Sequence, residues 1–412
     1  MNSSDKQSRS LTSSMVEQIK PQYSVNWHTN IAEIPQSEWD ALAKALKTPF
    51  LEWEWLNNLE TSGSATAKTG WHSCHLTIWR DRQLLAAAPL YIKGHSYGEF
   101  VFDQEWANLA YRLGVQYYPK LLGMVPFTPA VGYRFLIAAE ENEDEITQLL
   151  IAAIDSFCDR NRISGCHFLF VDPDWRIVME NYGFRNWLHY SYIWSNNNFN
   201  SFDDYLKMFN SNQRRNIKRE RKAVDRAELI VKTYSGEEIA PSLYPQIYNF
   251  YSSTCDKFYW GSKYLTRQFF KQLYPNYSDR VVLVTAYRDE NDHKPVGMSF
   301  CINKGENLYG RYWGCSQEFD CLHFETCYYK PIEWAIERGV QMFDPGAGGS
   351  HKRRRGFPAT ANYSLHRFYH QRLSKIFSTY IDEINQNEQE EIDAINQDLP
   401  FSKRKINLEI IE

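Results

Sequence analysis

The chain has no long hydrophobic run. Its longest apolar stretch, near Leu84–Ile92, is interrupted by Pro89 and falls well short of the roughly 18–20 residues that cross a bilayer, so no transmembrane segment is expected. The opening MNSSDKQSRSLTSS lacks the apolar core of a secretory signal, and Asp5, Glu17 and the scarcity of early Arg speak against a transit peptide. A cytoplasmic protein with a disordered lead over residues 1–22 is expected. C-x-x-C pairs are missing among the eight cysteines. In an intracellular chain this reads as reduced, packed thiols rather than a disulfide framework. Cys321, His323 and Cys327 form the one cluster, but structural zinc wants four ligands at tighter spacing, so no metal is expected. A dominant charge sign is missing too: 46 Lys and Arg against 50 Asp and Glu leave a net charge of −4. Any anion must then be held by a local basic cluster rather than by the molecule's overall field.

What is present describes a large globular protein. Its 412 residues, 43% hydrophobic and 23% charged, fit two domains. Aromatic residues reach 16%, with 27 Tyr, 24 Phe and 13 Trp, enough to fill a core and to line a substrate groove. Helices are expected over 37–46 and 52–60, a hairpin from His75–Trp79 and Leu84–Ile92, then a long Tyr-, Gly- and Pro-rich loop over 95–132. A helix at 145–161, a strand at 166–171, a helix at 174–182 and a strand at 190–194 follow. The second half repeats this order: a basic helix over 212–227, a strand at 229–233, helices at 244–258 and 266–274, and a hairpin from 281–288 and 295–303. A third strand at 307–314, a helix at 323–338 closed by Gly339 and a buried strand at 340–343 complete it. The expected division is 23–198 for the first domain, 199–380 for the second and 381–412 for an acidic tail, either a peripheral helix or a disordered segment.

Three segments carry chemistry. Between 214 and 226 stand seven basic residues, of which Arg214, Lys218, Lys222 and Arg226 recur every four positions and so share a helix face. A phosphate or pyrophosphate would satisfy such a stripe; a solvated helix is the competing reading. The helix after the third strand opens with His323, Glu325, Cys327, Tyr328 and Tyr329, at a strand end where ligands of α/β folds gather. Glu325 or His323 is a candidate base there, and Tyr328 or Tyr329 a candidate acid, with Tyr329 preferred; plain packing of His323 and Tyr328 against Phe324 and Trp334 competes. The run Asp344-Pro345-Gly346-Ala347-Gly348-Gly349-Ser350-His351-Lys352-Arg353-Arg354-Arg355-Gly356 combines glycines with four consecutive cations. Backbone N–H groups of such a turn can hold an anion, while the missing G-K-[ST] ending excludes a P-loop.

The segments SNQRRNIKRERK (211–222), VVLVTAYRDENDHKPVGMSF (281–300), LYGRYWGCS (308–316) and YYKPIEWAIERGVQMFDPGAGG (328–349) resemble the Fem-type peptidyltransferases. HSYGEFVFD (95–103), YYPKLLG (117–123), PFTPA (126–130) and HKRRRGFPATANYSLH (351–366) resemble more specifically the FemAB-like N-acyltransferases, and the likeness covers roughly residues 25–380. The resemblance implies an α/β fold of two tandem acetyltransferase-like domains, each a mixed, mostly antiparallel sheet flanked by helices. It also implies transfer of an acyl or aminoacyl group to an amine, with no tightly bound cofactor. No long coiled-coil insertion of the tRNA-dependent members appears. Ser316-Gln317-Glu318-Phe319-Asp320 stands where the glycine loop for acetyl-CoA is found, so acyl-CoA and aminoacyl-tRNA both stay open as donors. The candidate donor-binding residues are Arg214, Lys218, Lys222, Arg311, Gly346, Gly348, His351, Lys352 and Arg353. The alternative is an inactive module of the same fold that binds a phosphorylated ligand or RNA. The oligomeric state stays open.

Overall fold

The structure, a computed structural model, describes residues 23–257 and 263–402; the expected lead and residues 403–412 of the expected tail lie outside the described residues. In the first half β1 (Tyr23–His28), α1 (Gln36–Ala43), α2 (Trp53–Thr61), β2 (His72–Ser73), β3 (His75–Arg80), β4 (Gln83–Ala88) and β5 (Leu90–Lys93) follow in order. β3 and β4 form the expected hairpin, but Pro89 cuts its second arm in two. Proline has no N–H for the ladder. β4 accordingly stays in a four-stranded sheet with β1, β3 and the short strand at Leu136–Ile137, while β5 passes into a second sheet.

The expected loop over 95–132 is not all loop. It contains α3 (Gln104–Arg112), whose Trp106 and Ala110 are buried, and β6 (Lys120–Gly123). Tyr, Gly and Pro masked the helix, whose buried positions are four apart, and the strand is too short for a visible period. β7 (Leu136–Ile137), α4 (Glu143–Arg160), β8 (Gly165–Phe168), α5 (Pro173–Asn181), β9 (Arg185–Tyr192) and β10 (Trp194–Ser195) complete this half. Local chemistry explains the helix starts. Asn142 caps α4 through the Glu145 N–H, with three acidic residues in the first turn. Asp172 caps α5 ahead of Pro173.

The second half runs α6 (Phe202–Leu206), α7 (Ser211–Arg226), β11 (Ile230–Ser235), α8 (Tyr244–Cys255), α9 (Arg267–Gln272), β12 (Val281–Tyr287), β13 (Gly297–Lys304) and β14 (Asn307–Cys315). Then come α10 (Leu322–Phe324), a π-helical turn (Glu325–Tyr329), α11 (Lys330–Glu337), β15 (Met342–Asp344), β16 (Ala359–Phe368) and α12 (Gln371–Gln397). β12 reads VVLVTAY and is buried at every position, as expected of a central strand covered on both faces. Gly339, at φ +72°, closes α11.

Each half holds one parallel crossover, β6–α4–β8 and β14–α11–β15, which is the architectural repeat expected from the element order. The halves also exchange strands. β16 inserts between β8 and β9, and β10 pairs with β15. Sheet membership therefore crosses the expected division at 198/199 in both directions. A common core joins the halves: Trp55 packs on Phe269 at 5.2 Å and Phe50 on Tyr309 at 5.0 Å. Of the two readings of the acidic tail, the helix is the one observed: α12 lies along β9 and β16 and buries Leu373, Phe377, Ile381 and Ile392. Burial of each such side chain stabilises by about 1.5–3 kcal/mol. No helix among the described residues is long and apolar enough to cross a membrane.

Candidate active site

A split between two parallel strands makes the site. β14 pairs with β15 only from Asn307 to Tyr309, opposite Met342 to Asp344. Beyond Tyr309, β14 continues to Cys315 while the chain after Asp344 leaves through the glycine turn. Two glycines permit the close approach at the apex. A Cβ on Gly346, at φ +93°, would come 2.9 Å from the Gly310 carbonyl oxygen, and one on Gly310 would come 3.2 Å from the Pro345 backbone. A β-bulge follows at once: Cys301 pairs with Gly310 and Phe300 with Tyr312, leaving Arg311 as the extra residue. Bulges bend a strand and re-aim its side chains.

The split opens a cavity of 490 Å³. Arg311, Tyr312 and Trp313 form one wall, the glycine turn the other, and His323, Cys327 and Tyr328 the floor. Tyr251 and Thr254 of α8 lean over it, and the Thr254 hydroxyl donates to the Trp313 carbonyl at 2.5 Å. Gly314 lets α8 come this near, since a Cβ there would collide with the Phe250 carbonyl.

Three titratable side chains converge on the floor. Tyr328 Oη and His351 Nε2 share a hydrogen bond of 2.9 Å. The His323 ring lies 5.6 Å from that of His351 and 5.1 Å from Trp313. Burial, the neighbouring imidazole and the cations Arg355 and Lys352 push His323 down to about 4. Burial and the same cations push His351 down to about 4 as well. Both rings are thus neutral near pH 7 and available as proton acceptors. Burial raises the Tyr328 hydroxyl, keeping it protonated as a donor. Lys352, 2% exposed, reaches the cavity and donates to the Gly346 carbonyl. Burial pushes it down to about 8, with Asp344 opposing.

Among the expected site residues, His323, Arg311, Gly348, His351 and Lys352 line this one cavity, and Gly346 shapes its apex. Arg311 spans the halves, donating to the Phe127 carbonyl at 2.9 Å. Glu325 and Tyr329 do not line it. Glu325 accepts two hydrogen bonds from Arg221 of α7, at 2.9 and 3.1 Å, and Tyr329 donates to Glu220. Arg355 also pairs with Glu220 at 2.8 Å, so the basic helix and the basic turn meet through one carboxylate. Arg214 is half-buried and Lys218 and Lys222 are exposed; none of the three forms an ion pair among the described residues, and none lines the cavity. Arg353 turns away from it to Asp398 at 3.3 Å.

The π-helical turn explains which tyrosine faces inward. On an α-helix, Glu325 and Tyr329, four apart, share a face. The wider turn over Glu325–Tyr329 shifts that register. Tyr328 then meets His351 while Glu325 and Tyr329 turn toward α7. The aromatic wall from α8 and Phe100 was missed, and the Tyr-rich pattern of 244–258 was its one signal.

Comparisons with known proteins agree with this architecture. A family model described as FemAB-like, peptidoglycan biosynthesis/recognition, matches residues 30–403. No curated protein matches. The crystal structure of FemX matches at 13% identity and TM-score 0.52, over 83% of this chain and 98% of that one. The C-terminal DUF2156 domain of a putative lysylphosphatidylglycerol synthetase from Agrobacterium fabrum matches at 10% identity and TM-score 0.51, over 85% of this chain and 97% of that one. A tandem GNAT protein from the clavulanic acid biosynthesis pathway matches at 8% identity and TM-score 0.42, over 84% and 98% of the two chains. The first two share the fold, in which two acetyltransferase-like halves stand in tandem. The chain belongs to the FemAB-like family.

Proposed function

We propose that the chain is an N-acyltransferase that moves an acyl or aminoacyl group from a phosphate-bearing carrier, an acyl-CoA or an aminoacyl-tRNA, to an amine. The carrier is the co-substrate, and the reaction requires no tightly bound cofactor. The observation that carries this reading is the β14–β15 split with a neutral His351–Tyr328 pair on its floor and the cation of Lys352 at its side. The acyl carbonyl lies along the edge of β14 left without a strand partner beyond Tyr309, where backbone groups face the cavity. The amine nitrogen bonds to the carbonyl carbon and the carbonyl electron pair moves to oxygen, next to the Lys352 cation. The pair returns as the carbon–sulfur or carbon–oxygen bond to the carrier breaks. One proton passes from the amine nitrogen to the neutral His351 imidazole, directly or by way of His323, and the Tyr328 hydroxyl supplies one to the leaving atom, to be replaced by the proton His351 has gained. Glu325 acts as a positioning residue, tying the π-helical turn to α7.

The family's description makes a cell-wall amine the first acceptor to try. Transfer of a labelled acyl or aminoacyl group, lost in His351→Ala, tests the reading. The alternative is a module without catalysis. The unpaired basic residues of α7 favour it, since they suit a phosphorylated ligand or RNA whether or not chemistry follows.

A further inference from the structure

A second, larger cavity lies behind the glycine turn. It measures 750 Å³ and shares Phe100, Ala347, Gly348 and Gly349 with the first. The wall between the two is therefore thin, made of one ring and three residues with no side chain beyond Cβ. A Cβ on Gly348 would meet no atom within 4 Å. A substrate can bind in the rear cavity and pass a reacting atom over this turn into the split.

The chemistry of the rear cavity differs from that of the split. Trp187, Tyr190 and Tyr192 of β9 and Phe102 of the 95–103 loop supply aromatic surface. The Tyr190 and Tyr192 rings stand 5.8 Å apart at 86°, forming two sides of a corner. Phe102 is 76% exposed, a large apolar side chain held at the mouth with no packing partner to explain it. Among the described lining residues the one charged side chain is Glu388 of α12. Glu391, one turn region onward, accepts from the Tyr190 hydroxyl at 3.0 Å and adds negative potential. His189 is held neutral by burial, pushed down to about 4. Two cations nearby have partners of their own: Lys352, 6.0 Å from the Tyr192 ring, donates to the Gly346 carbonyl, and Arg353 pairs with Asp398. Rings at right angles with a single carboxylate attract an organic cation.

We infer that this cavity is the acceptor site and that the acceptor is an organic diamine or polyamine. One ammonium is held between the Tyr190 and Tyr192 rings and Glu388, and a second amino group reaches across the glycine turn to the split. This rests on the acyltransferase reading above for the fate of the second amine. The two amines have separate roles. The held ammonium stays charged and unreactive, while the reacting amine enters the split as the free base and is acylated as described.

The test is isothermal titration calorimetry of the full chain with spermidine, glucosamine and a nucleotide-diphosphate-linked amino sugar, repeated with Glu388→Gln, Tyr190→Leu and His351→Ala. Spermidine is expected to bind best, to weaken at least tenfold in Glu388→Gln and in Tyr190→Leu, and to bind His351→Ala as it binds the wild type. Equal spermidine affinity in Glu388→Gln, or tighter binding of the nucleotide-linked sugar, overturns the inference. Glu388 is half-buried and makes no side-chain hydrogen bond or ion pair among the described residues, so Glu388→Gln keeps the fold, and Tyr190→Leu adds an independent arm. Spermidine that binds as expected but accepts no acyl group from any donor leaves the site standing and contradicts the reaction instead.

Discussion

Tyr328 Oη and His351 Nε2 lie 2.9 Å apart, one from the π-helical turn after β14 and the other from the basic turn after β15. The bond closes the split from below and joins the two arms that the sheet lets diverge. Removing either partner separates chemistry from binding. Tyr328→Phe and His351→Ala are each expected to lower kcat by about 10²–10⁴-fold, the usual worth of a proton-transfer group. KM for the donor should change little. Steady-state kinetics of the two variants and the double variant check this, and the double should lose little more than either single.

The same groups set a pH window. His351 and His323 act as acceptors only when neutral, so activity should rise as pH climbs through about 4. Lys352 helps hold the developing oxyanion only while charged, and it loses its proton through about 8. A bell between these limits is expected in kcat/KM, and Lys352→Arg should abolish the alkaline fall, because guanidinium stays charged. A pH–rate profile of both proteins measures it.

Glu325→Gln should act on stability before chemistry. The amide cannot balance Arg221, which keeps only Glu333. A loss of about 1–3 kcal/mol is expected for a weakened, partly exposed charge pair. Urea unfolding should show it, with near-normal kcat in the fraction that remains folded.

Lys120→Met should cost more. Lys120 holds Glu99 at 2.7 Å and Asp103 at 2.5 Å, and all three side chains are at most 3% exposed. Without it, two carboxylates stay buried with no cation in contact, a change typically worth about 3–5 kcal/mol. The loop they anchor carries Phe100, which lines both cavities, so KM should rise as well. Chemical denaturation and donor titration report the two effects.

Reversing Arg214, Lys218 and Lys222 to Glu should weaken donor binding uniformly across acyl groups and flatten its salt dependence. Binding measured across a series of salt concentrations checks this. The three side chains lie outside the cavity, so kcat at saturating donor should hold.

Much of this was legible in the residues. The apolar runs of 281–288 and 295–303 on either side of a polar turn, the four-residue recurrence of 214–226 and the glycines of 344–349 located the sheet, the basic helix and the turn. Long, periodic segments announce themselves because burial on one face writes a period into the sequence. Two kinds of feature left no such mark. Strand exchange is a long-range choice: nothing in ATANYSLHRF says that β16 belongs beside β8 and β9 rather than β15. The π-helical turn is a local choice decided by packing, with Glu325 drawn to Arg221 and Tyr328 to His351. The residues alone leave Tyr328 and Tyr329 side by side as candidate acids, and Tyr328 is the one that lines the cavity.

The most direct measurement follows label from donor to amine. The full chain is incubated with radiolabelled acyl-CoAs and, separately, with labelled aminoacyl-tRNA, each with a pool of amines, and products are separated by chromatography and mass. The account predicts an amide product from one donor class, absent in His351→Ala although that variant still binds the donor. A donor that binds the split yet yields no amide in the wild type, or amide formed equally well by His351→Ala, would contradict it.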